Sequence, residues 1–401
     1  MFGRTRAIPA AVRHGAGALL WSRIVVWVAG LLALGAFGRK PGWERFDPAG
    51  LTTPFGPVGD ALLAPAARWD AVWFLAVAGT GYDDGARPAF FPLYPALVWA
   101  LGLVTGSRAL AALVVAFACA LAALALLHRL AALELGERYA RPAVLVCAFF
   151  PTSFFLTAMY SESLFLALSL GAFLAARRDA WWLAGMLGAL AAATRSIGIA
   201  LVVPLVLLHL EQHGRRRLPS PWIALVPLGL AAYCALLELT GGDAGAPFSA
   251  QDVWMRSFAG PFAGAWDGTV AAVDGARQLL SGARTPVYFE PAGGDPFEVA
   301  RRNLTELAFL AGALAATVGA LRRLPLAYGA WAIVALAVPL SYPVGAQPLM
   351  SLGRFVLVLF PLHLWLAAAL VDRGLTDRWL AVSGGALAIL AAQFAAWEFV
   401  G

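Results

Sequence analysis

The stretch ALAALVVAFACALAALALL, residues 109–127, carries no charged side chain. Directly after it stand Arg129, Glu134, Glu137, Arg138 and Arg141. A helix needs about 20 such residues to cross the ~30 Å hydrocarbon core of a bilayer. Hydrocarbon offers the backbone no hydrogen-bond partner, so a run of this kind has to pair its amides internally, as a helix does. Comparable runs of ~15–25 apolar residues recur along the whole chain. The composition agrees. The 401 residues are 61% hydrophobic and only 13% charged, with a mean hydropathy of +0.76. A water-soluble domain carries about 25% charged residues. The sequence therefore predicts an all-α, polytopic integral membrane protein.

Charge placement sets the topology. The net charge is +6, and the arginines gather in short blocks. Arg4, Arg6, Arg13 and Arg23 surround the first apolar run. Arg177–Arg178, Arg215–Arg217 and Arg322–Arg323 follow others. That is the cytoplasmic-loop bias of membrane proteins rather than a nucleic-acid face. The first crossing is expected at 15–36, retained rather than cleaved. A polar, Pro/Gly-rich stretch follows it, from Arg39 to Pro88, too polar to cross. Of the next two apolar pieces, 89–106 and 108–128, only one can cross if the charged loop after Arg129 is cytoplasmic. Pro92 and Pro95 break the start of 89–106, so it is read as re-entrant or lying on the outer face. Crossings are then expected at 143–159, 161–176, 181–194, 197–210, 221–239, 304–321, 325–341, 354–371 and 379–398, about eleven in all. The chain reads as one transmembrane domain, 1–401, with outer loops at 37–107 and 240–303. The second loop carries Asp243, Asp252, Trp254, Trp266, Glu290 and Asp295.

On this topology the unusual polar residues fall on one side. They are Arg68-Trp69-Asp70-Ala71-Val72-Trp73-Phe74, running on to Gly81-Tyr82-Asp83-Asp84; Ala89-Phe90-Phe91-Pro92-Leu93-Tyr94-Pro95; Phe150-Pro151-Thr152-Ser153-Phe154-Phe155 with Tyr160-Ser161-Glu162-Ser163-Leu164-Phe165; Thr194-Arg195-Ser196-Ile197-Gly198; and Ser351-Leu352-Gly353-Arg354-Phe355. These blocks, spread over residues 68–355, resemble the signatures of the PIG-V-type mannosyltransferases. The resemblance implies a GT-C-type membrane glycosyltransferase fold. It also implies a polyprenyl-phosphate-mannose donor, a glycolipid or glycan acceptor, and a catalytic carboxylate on the outer loop after the first helix. Asp70 matches that carboxylate. The Ala/Gly/Arg-rich, Lys-poor composition points to a bacterial plasma membrane, with the site facing outward.

The chemistry needs few parts. Phosphate leaves readily, so inverting transfer needs one carboxylate to take the acceptor proton. It also needs cations to hold the departing phosphate. The transition state is oxocarbenium-like, which a nearby carboxylate favours. Asp70 suits the base role, and it equally suits the N-cap of a helix beginning at Ala71. Arg354 and Arg195 suit phosphate binding through their planar forks. Both also suit pairing with Glu162, or reaching the interface. Glu162 lies between apolar runs, where a carboxylate is costly and is either functional or paired. Asp83 and Asp84 sit beside Gly81 and Gly85, as a solvated turn or as acceptor ligands. Trp69, Trp73, Phe90, Phe91 and Tyr94 form either a sugar platform or an interfacial belt. The substrate-binding candidates are thus Arg354, Arg195, Glu162, Trp69, Asp83, Asp84, Tyr94 and Tyr160.

Other chemistries find little support. His209 and His213 flank Glu211 beside a basic block, which reads as a solvated loop. Cys119, Cys147 and Cys234 lie in apolar runs without CxxC spacing and read as small buried residues. No Gly-rich phosphate loop argues for direct use of a sugar nucleotide. No cofactor is called for, with room left for a divalent ion. Rival readings are transfer of another polyprenyl-phosphate sugar, such as glucose or arabinose, a transporter or flippase of lipid-linked glycans, and a structural scaffold. A transporter would show inverted repeats, and none stands out.

Overall fold

The computed structural model describes residues 9–214, 217–288 and 295–400. The sequence readings at Arg4, Arg6, Arg215, Arg216 and Glu290 lie outside these. The described residues form helices and no strand. In chain order they are α1 (Ala10–Phe37), α2 (Gly56–Leu63), α3 (Asp70–Thr80), α4 (Leu93–Thr105), α5 (Arg108–Leu135), α6 (Glu137–Ala148), α7 (Glu162–Arg177), α8 (Trp181–Ala192) and α9 (Val202–His213). Then come α10 (Val226–Leu239), α11 (Ala246–Val253), α12 (Ala263–Ser281), α13 (Pro296–Arg323), α14 (Leu326–Leu340), α15 (Leu352–Leu357), α16 (Phe360–Asp372) and α17 (Thr376–Ala395).

Among the described residues six stretches are long and apolar enough to cross a membrane: Ala10–Phe37, Arg108–Leu135, Ser196–His213, Pro221–Leu239, Pro296–Arg323 and Thr376–Ala395. Shorter apolar helices (α3, α4, α8, α14 and α16) lie among them. The chain is a polytopic helical membrane protein. Its long helices are punctuated as their sequence dictates. The Ser107 hydroxyl accepts from the Leu110 amide (3.3 Å) to start α5, and Gly136, at φ 103°, ends it. Asp295 caps α13 through the Phe297 amide (2.9 Å), Pro296 follows, and Arg322 and Arg323 close the last turn. Cations there complement the carbonyl end of the helix dipole.

Several sequence boundaries move. The expected crossing 143–159 is not one helix. α6 stops at Ala148, and residues 149–161 run irregularly, with one 3-10 turn at Ser153–Leu156. Pro151 lacks the amide to continue the helix. The freed backbone is buried and partnered, the condition under which irregular chain survives at membrane depth. Arg23 supplies much of that pairing. Its Nη1 donates to the Ser153 carbonyl (2.7 Å) and the Thr157 hydroxyl (2.8 Å), and its Nη2 to the Ser153 hydroxyl (2.9 Å). Arg23 is therefore a buried residue inside α1 rather than a flanking loop charge. The run 354–371 is likewise cut, at Val358–Leu359, into α15 and α16, with Pro361 just beyond. α13 begins at Pro296, eight residues earlier than read, and the loop before it contains α11 and α12.

The two ends of the bundle differ. At one end Arg177 pairs with Glu134 (2.5 Å), which also accepts from the Tyr328 hydroxyl (2.9 Å). Arg323 and Arg138 pair with Asp372 (2.5 and 3.0 Å). These contacts tie together α5, α6, α7, α13, α14 and α16. At the other end the segments 37–107 and 240–303 meet. Lys40 pairs with Glu298 (2.8 Å), and Tyr233 donates to the Pro88 carbonyl (2.9 Å). The candidate site lies at this second end.

Candidate active site

Trp69 holds an uncommon backbone conformation for a non-glycine residue, φ 54° and ψ −114°. Such strain costs about 1–3 kcal/mol and persists only where surroundings fix it. Here the indole Nε1 donates to the Glu398 carbonyl (3.1 Å), and the ring packs on Phe46, Trp397 and Phe399. The kink aims the next residue. Asp70 is the first residue of α3, not its cap, and its side chain engages no α3 amide. Its own backbone N–H donates to the Tyr160 hydroxyl (3.0 Å), which in turn donates to the Arg68 carbonyl (3.0 Å). The carboxylate instead meets Arg354, with Nη1 to Oδ2 at 2.6 Å. The N-cap reading of Asp70 is thereby replaced by an ion pair.

Arg354 does not serve Asp70 alone. Its Nε lies 2.6 Å from Glu162 Oε1, an ion-pair contact, and Arg195 Nη1 donates to the same oxygen at 2.5 Å. Glu162 is fully buried at the first turn of α7, and its Oε2 has no partner among the described residues. The charges alternate in space: Asp70, Arg354, Glu162, Arg195. The Arg354 guanidinium also sits over the Tyr160 ring, 5.1 Å from its centroid. The turn carrying Arg354 is held from three sides. Ser351 is left-handed (φ 71°), Gly353 N–H donates to Glu306 Oε2 (3.0 Å), and the Thr152 hydroxyl donates to the Gly353 carbonyl (2.8 Å). A Cβ at Gly353 would lie 2.7 Å from the Phe309 ring, so a larger residue there requires that ring to move.

A third arginine joins from the segment between α11 and α12. Arg256 donates to the carbonyls of Met350 (3.1 Å) and Tyr342 (3.4 Å). Its guanidinium lies 5.7 Å from the centre of the Phe355 ring, with Arg195 5.6 Å from the same ring. Burial pushes Arg256 down to about 10, and Arg354 repels it further while Asp70 partly compensates. Among the described residues Arg256 has no carboxylate within ion-pair distance.

A family profile described as mannosyltransferase (PIG-V) matches residues 58–213. The chain is similar to the PIG-V mannosyltransferases. The matched stretch contains Asp70, Tyr160, Glu162 and Arg195, and ends before Arg256 and Arg354. GPI alpha-1,6-mannosyltransferase 2 of Rattus norvegicus is 35% identical over 226 residues, covering 51% of this chain and 44% of that protein. The protein of the same name from Mus musculus is 37% identical over 194 residues, 44% of this chain and 38% of its own length. The matches thus span less than half of each of these curated relatives. No solved structure matches the chain.

Within the PIG-V-like stretch the remaining candidates separate. Asp83 pairs with Arg87, and Asp84 accepts from the Ala86 amide (2.8 Å). Both lie beyond the far end of α3, whose 11 residues put ~16 Å between its ends. Tyr94 is buried and donates to the Ala112 carbonyl (3.2 Å), so it packs α4 on α5. The aromatic set divides as well. Trp73, one turn after Asp70, stacks on Phe90 (5.8 Å) and meets Trp254 edge-on (5.3 Å), whereas Phe91 packs on Tyr233 and Tyr94 on Phe74. His209 and His213 stack near Asp179 at the opposite end. Among the described residues no three His, Cys, Asp or Glu side chains converge as metal ligands. Sequence reading missed Arg256 and Glu306, and placed Arg23 in a flanking loop rather than inside α1. The only signal for Arg256 was its nearness to Trp254 in the outer loop.

Gly198, the last residue of the Thr194–Gly198 block, has a packing role. A Cβ there would overlap the backbone of Ala191 and Ala192. Gly198→Ala is expected to push the Ser196–Leu201 turn off α8 and carry Arg195 with it. Overpacking of this kind costs about 1–3 kcal/mol. Denaturation of the purified variant measures it, and an unchanged unfolding midpoint would refute the close approach.

Proposed function

We propose that the chain is an inverting mannosyltransferase. It takes mannose from a polyprenyl-phosphate-mannose donor and passes it to a hydroxyl of a glycolipid or glycan acceptor, on the non-cytoplasmic face. The supporting observation is the meeting of Asp70 with Arg354, Arg195 and Arg256 at one end of the bundle. The acceptor oxygen attacks the anomeric carbon, and the carbon–oxygen bond to phosphate breaks with its electron pair leaving on polyprenyl phosphate. The acceptor proton goes to Asp70 Oδ1 or Oδ2. Proton removal in the transition state is worth ~10²–10⁴-fold in rate. The departing phosphate gains charge, which preorganised guanidinium groups stabilise without reorganising. Arg354 holds Asp70 in place and offers its remaining N–H groups to the phosphate. Tyr160 fixes the Asp70 backbone and the Arg354 plane, and the Trp73–Phe90–Trp254 wall one turn away offers sugar a flat apolar face.

Facing favours the same reading. Arg138, Arg177 and Arg323 lie at the end opposite Asp70, and arginine in short loops marks the cytoplasmic side. The similarity to GPI alpha-1,6-mannosyltransferase 2 supports mannose as the sugar. In the test, purified protein in nanodiscs receives labelled polyprenyl-phosphate mannose and a glycolipid extract. The expected result is label in a glycolipid, absent with GDP-mannose and weak with polyprenyl-phosphate glucose. Movement of lipid-linked label across a bilayer without a new glycosidic bond would overturn the assignment.

Arg256 is the guanidinium with no carboxylate to hold, so it is the one most available to phosphate. A hydrogen bond to a charged group contributes ~1.5–3 kcal/mol. Arg256→Ala is accordingly expected to raise the donor concentration for half-maximal rate about 10–100-fold. Arg256→Lys should restore part of this, because it keeps the charge but loses the planar fork. An unaltered donor dependence in both variants would remove Arg256 from the phosphate site.

A further inference from the structure

Glu306 stands on α13 among Leu304, Thr305, Leu307 and Ala308, and it is buried. A carboxyl group at such a place in a crossing helix is either paired or used. Among the described residues no cation lies within ion-pair distance of it. Its partners are backbone amides of the turn that leads into Arg354. Glu306 Oε2 accepts from the Gly353 N–H at 3.0 Å, and the Ser351 and Leu352 amides also face the group. The first amides of a helix have no partner within it. α15 begins at Leu352, and the side chain of Ser351 before it makes no capping hydrogen bond. Glu306 meets those amides instead, from a different helix.

Arg256 holds the other edge of the same turn. Its Nη2 donates to the Met350 carbonyl at 3.1 Å. The carbonyl and the N–H of one trans peptide point in opposite directions. The Met350–Ser351 peptide is thus gripped at both ends, its oxygen by Arg256 and its N–H by Glu306. The tilt of that peptide sets the backbone of Ser351, which is left-handed at φ 71°. Few non-glycine residues adopt that conformation, and it persists where the surroundings over-determine it. The Ser351 carbonyl in turn accepts from the amides of Arg354 and Phe355, both at 3.1 Å. Asn303, three residues before Glu306 and on the same face of α13, donates to the Ala346 carbonyl at 3.0 Å. One face of α13 therefore fixes this segment at two points.

We propose that Glu306 is a positioning residue of the phosphate site, fixing the Met350–Gly353 turn so that Arg354 reaches Asp70 and Glu162 and keeps N–H groups for phosphate. The inference rests on the proposed function only in naming phosphate as what Arg354 holds. Arg354 is engaged on two flanks, by Nη1 with Asp70 Oδ2 and by Nε with Glu162 Oε1, both at 2.6 Å. A two-sided fit tolerates little displacement, and a shift of about 1 Å can cost ~10²-fold. The role asks for an acceptor oxygen rather than a charge, because the partners are neutral amides. Glutamine should therefore serve, and leucine should not. Arg256 grips the same peptide, so loss of Glu306 loosens the seat of both arginines.

The test uses the full chain in nanodiscs. Glu306→Leu, Glu306→Gln and Glu306→Asp are compared with the wild type in three ways: hydrogen exchange of the 349–355 peptide, binding of polyprenyl monophosphate, and transfer from labelled polyprenyl-phosphate mannose. In Glu306→Leu the expected result is faster exchange at 351–353 and polyprenyl monophosphate binding weakened about 10–100-fold, with the half-saturating acceptor concentration unmoved. Glu306→Gln should return exchange and binding close to wild type. A purely structural carboxyl would lower the yield of folded protein and leave the folded fraction binding normally. That outcome overturns the proposal, as does unchanged exchange in Glu306→Leu, or a Glu306→Gln as weak as Glu306→Leu. If Glu306→Leu does not fold, Glu306→Asp decides. It withdraws the oxygen by one methylene and should show the same changes in smaller degree, and normal binding there refutes the role. A wild type that binds polyprenyl monophosphate but transfers no mannose counts against the proposed function alone, since exchange and binding still report on the turn.

Discussion

Asp70→Asn is expected to cut turnover by about 10²–10⁴-fold, the usual worth of a general base, while donor binding persists. The amide oxygen can still accept from Arg354, and Glu162 still neutralises that guanidinium at 2.6 Å. The backbone contact of residue 70 with Tyr160 does not involve the side chain. Arg354 keeps Glu162 as a charged partner, so loss of one charge from this mostly buried cluster leaves no arginine unpaired. Fold and rate are therefore separable. Asp70→Glu serves as the companion variant, since it keeps a base and displaces it by one methylene, and it should retain more activity than Asp70→Asn. Turnover is read as label transferred from polyprenyl-phosphate mannose per purified protein. If Asp70→Asn works at the wild-type rate, the base must be sought elsewhere, and among the described residues no other candidate carboxylate both pairs with Arg354 and stays partly open to solvent.

Much of this site was legible because polar residues in a membrane chain are conspicuous. Glu162, Arg195 and Arg354 each interrupt apolar sequence, and charge at such positions has to be paired or used. Three distant segments thus announced themselves, and the structure brings them, with Asp70, within ion-pair distance. What stayed hidden depended on tertiary contacts. Residues 149–161 are apolar enough to read as helix, and only a partner on α1, Arg23, makes their irregular path affordable. Arg23 itself looked like one more flanking arginine, because burial is not written in local sequence. Of the two readings open for Asp70, the helix cap is one position off. A cap and a first-turn residue differ by one place, yet they aim the side chain at different partners, and the strained Trp69 backbone decides between them. Arg256 comes from a loop whose path the apolar periodicity does not specify. Asp83, Asp84 and Tyr94 were chosen for chemical type and nearness in sequence, but the length of α3 carries the first two away and the α4–α5 contact buries the third.

Glu162 should be the most sensitive position for stability. It is fully buried and answers two arginines with one oxygen. Removing one partner of a buried pair costs about 3–5 kcal/mol, because the other charge is left in an apolar medium. A whole protein is stable by only about 5–15 kcal/mol. Glu162→Ala is therefore expected to lose most folded material, measured as the fraction of protein that is monodisperse after extraction. Glu162→Gln should lose less, since the amide oxygen still accepts from Arg195. Its turnover should nonetheless fall, because Arg354 is then left to Asp70 alone and is drawn away from phosphate. The double variant Glu162→Leu with Arg195→Met separates scaffold from chemistry. Replacing both members of a buried pair by apolar groups of similar volume is often neutral or stabilising. The double variant should therefore be more stable than either single change and still transfer little mannose. If it recovered both stability and rate, the pair would be scaffolding only, and Arg195 would have no part in holding phosphate.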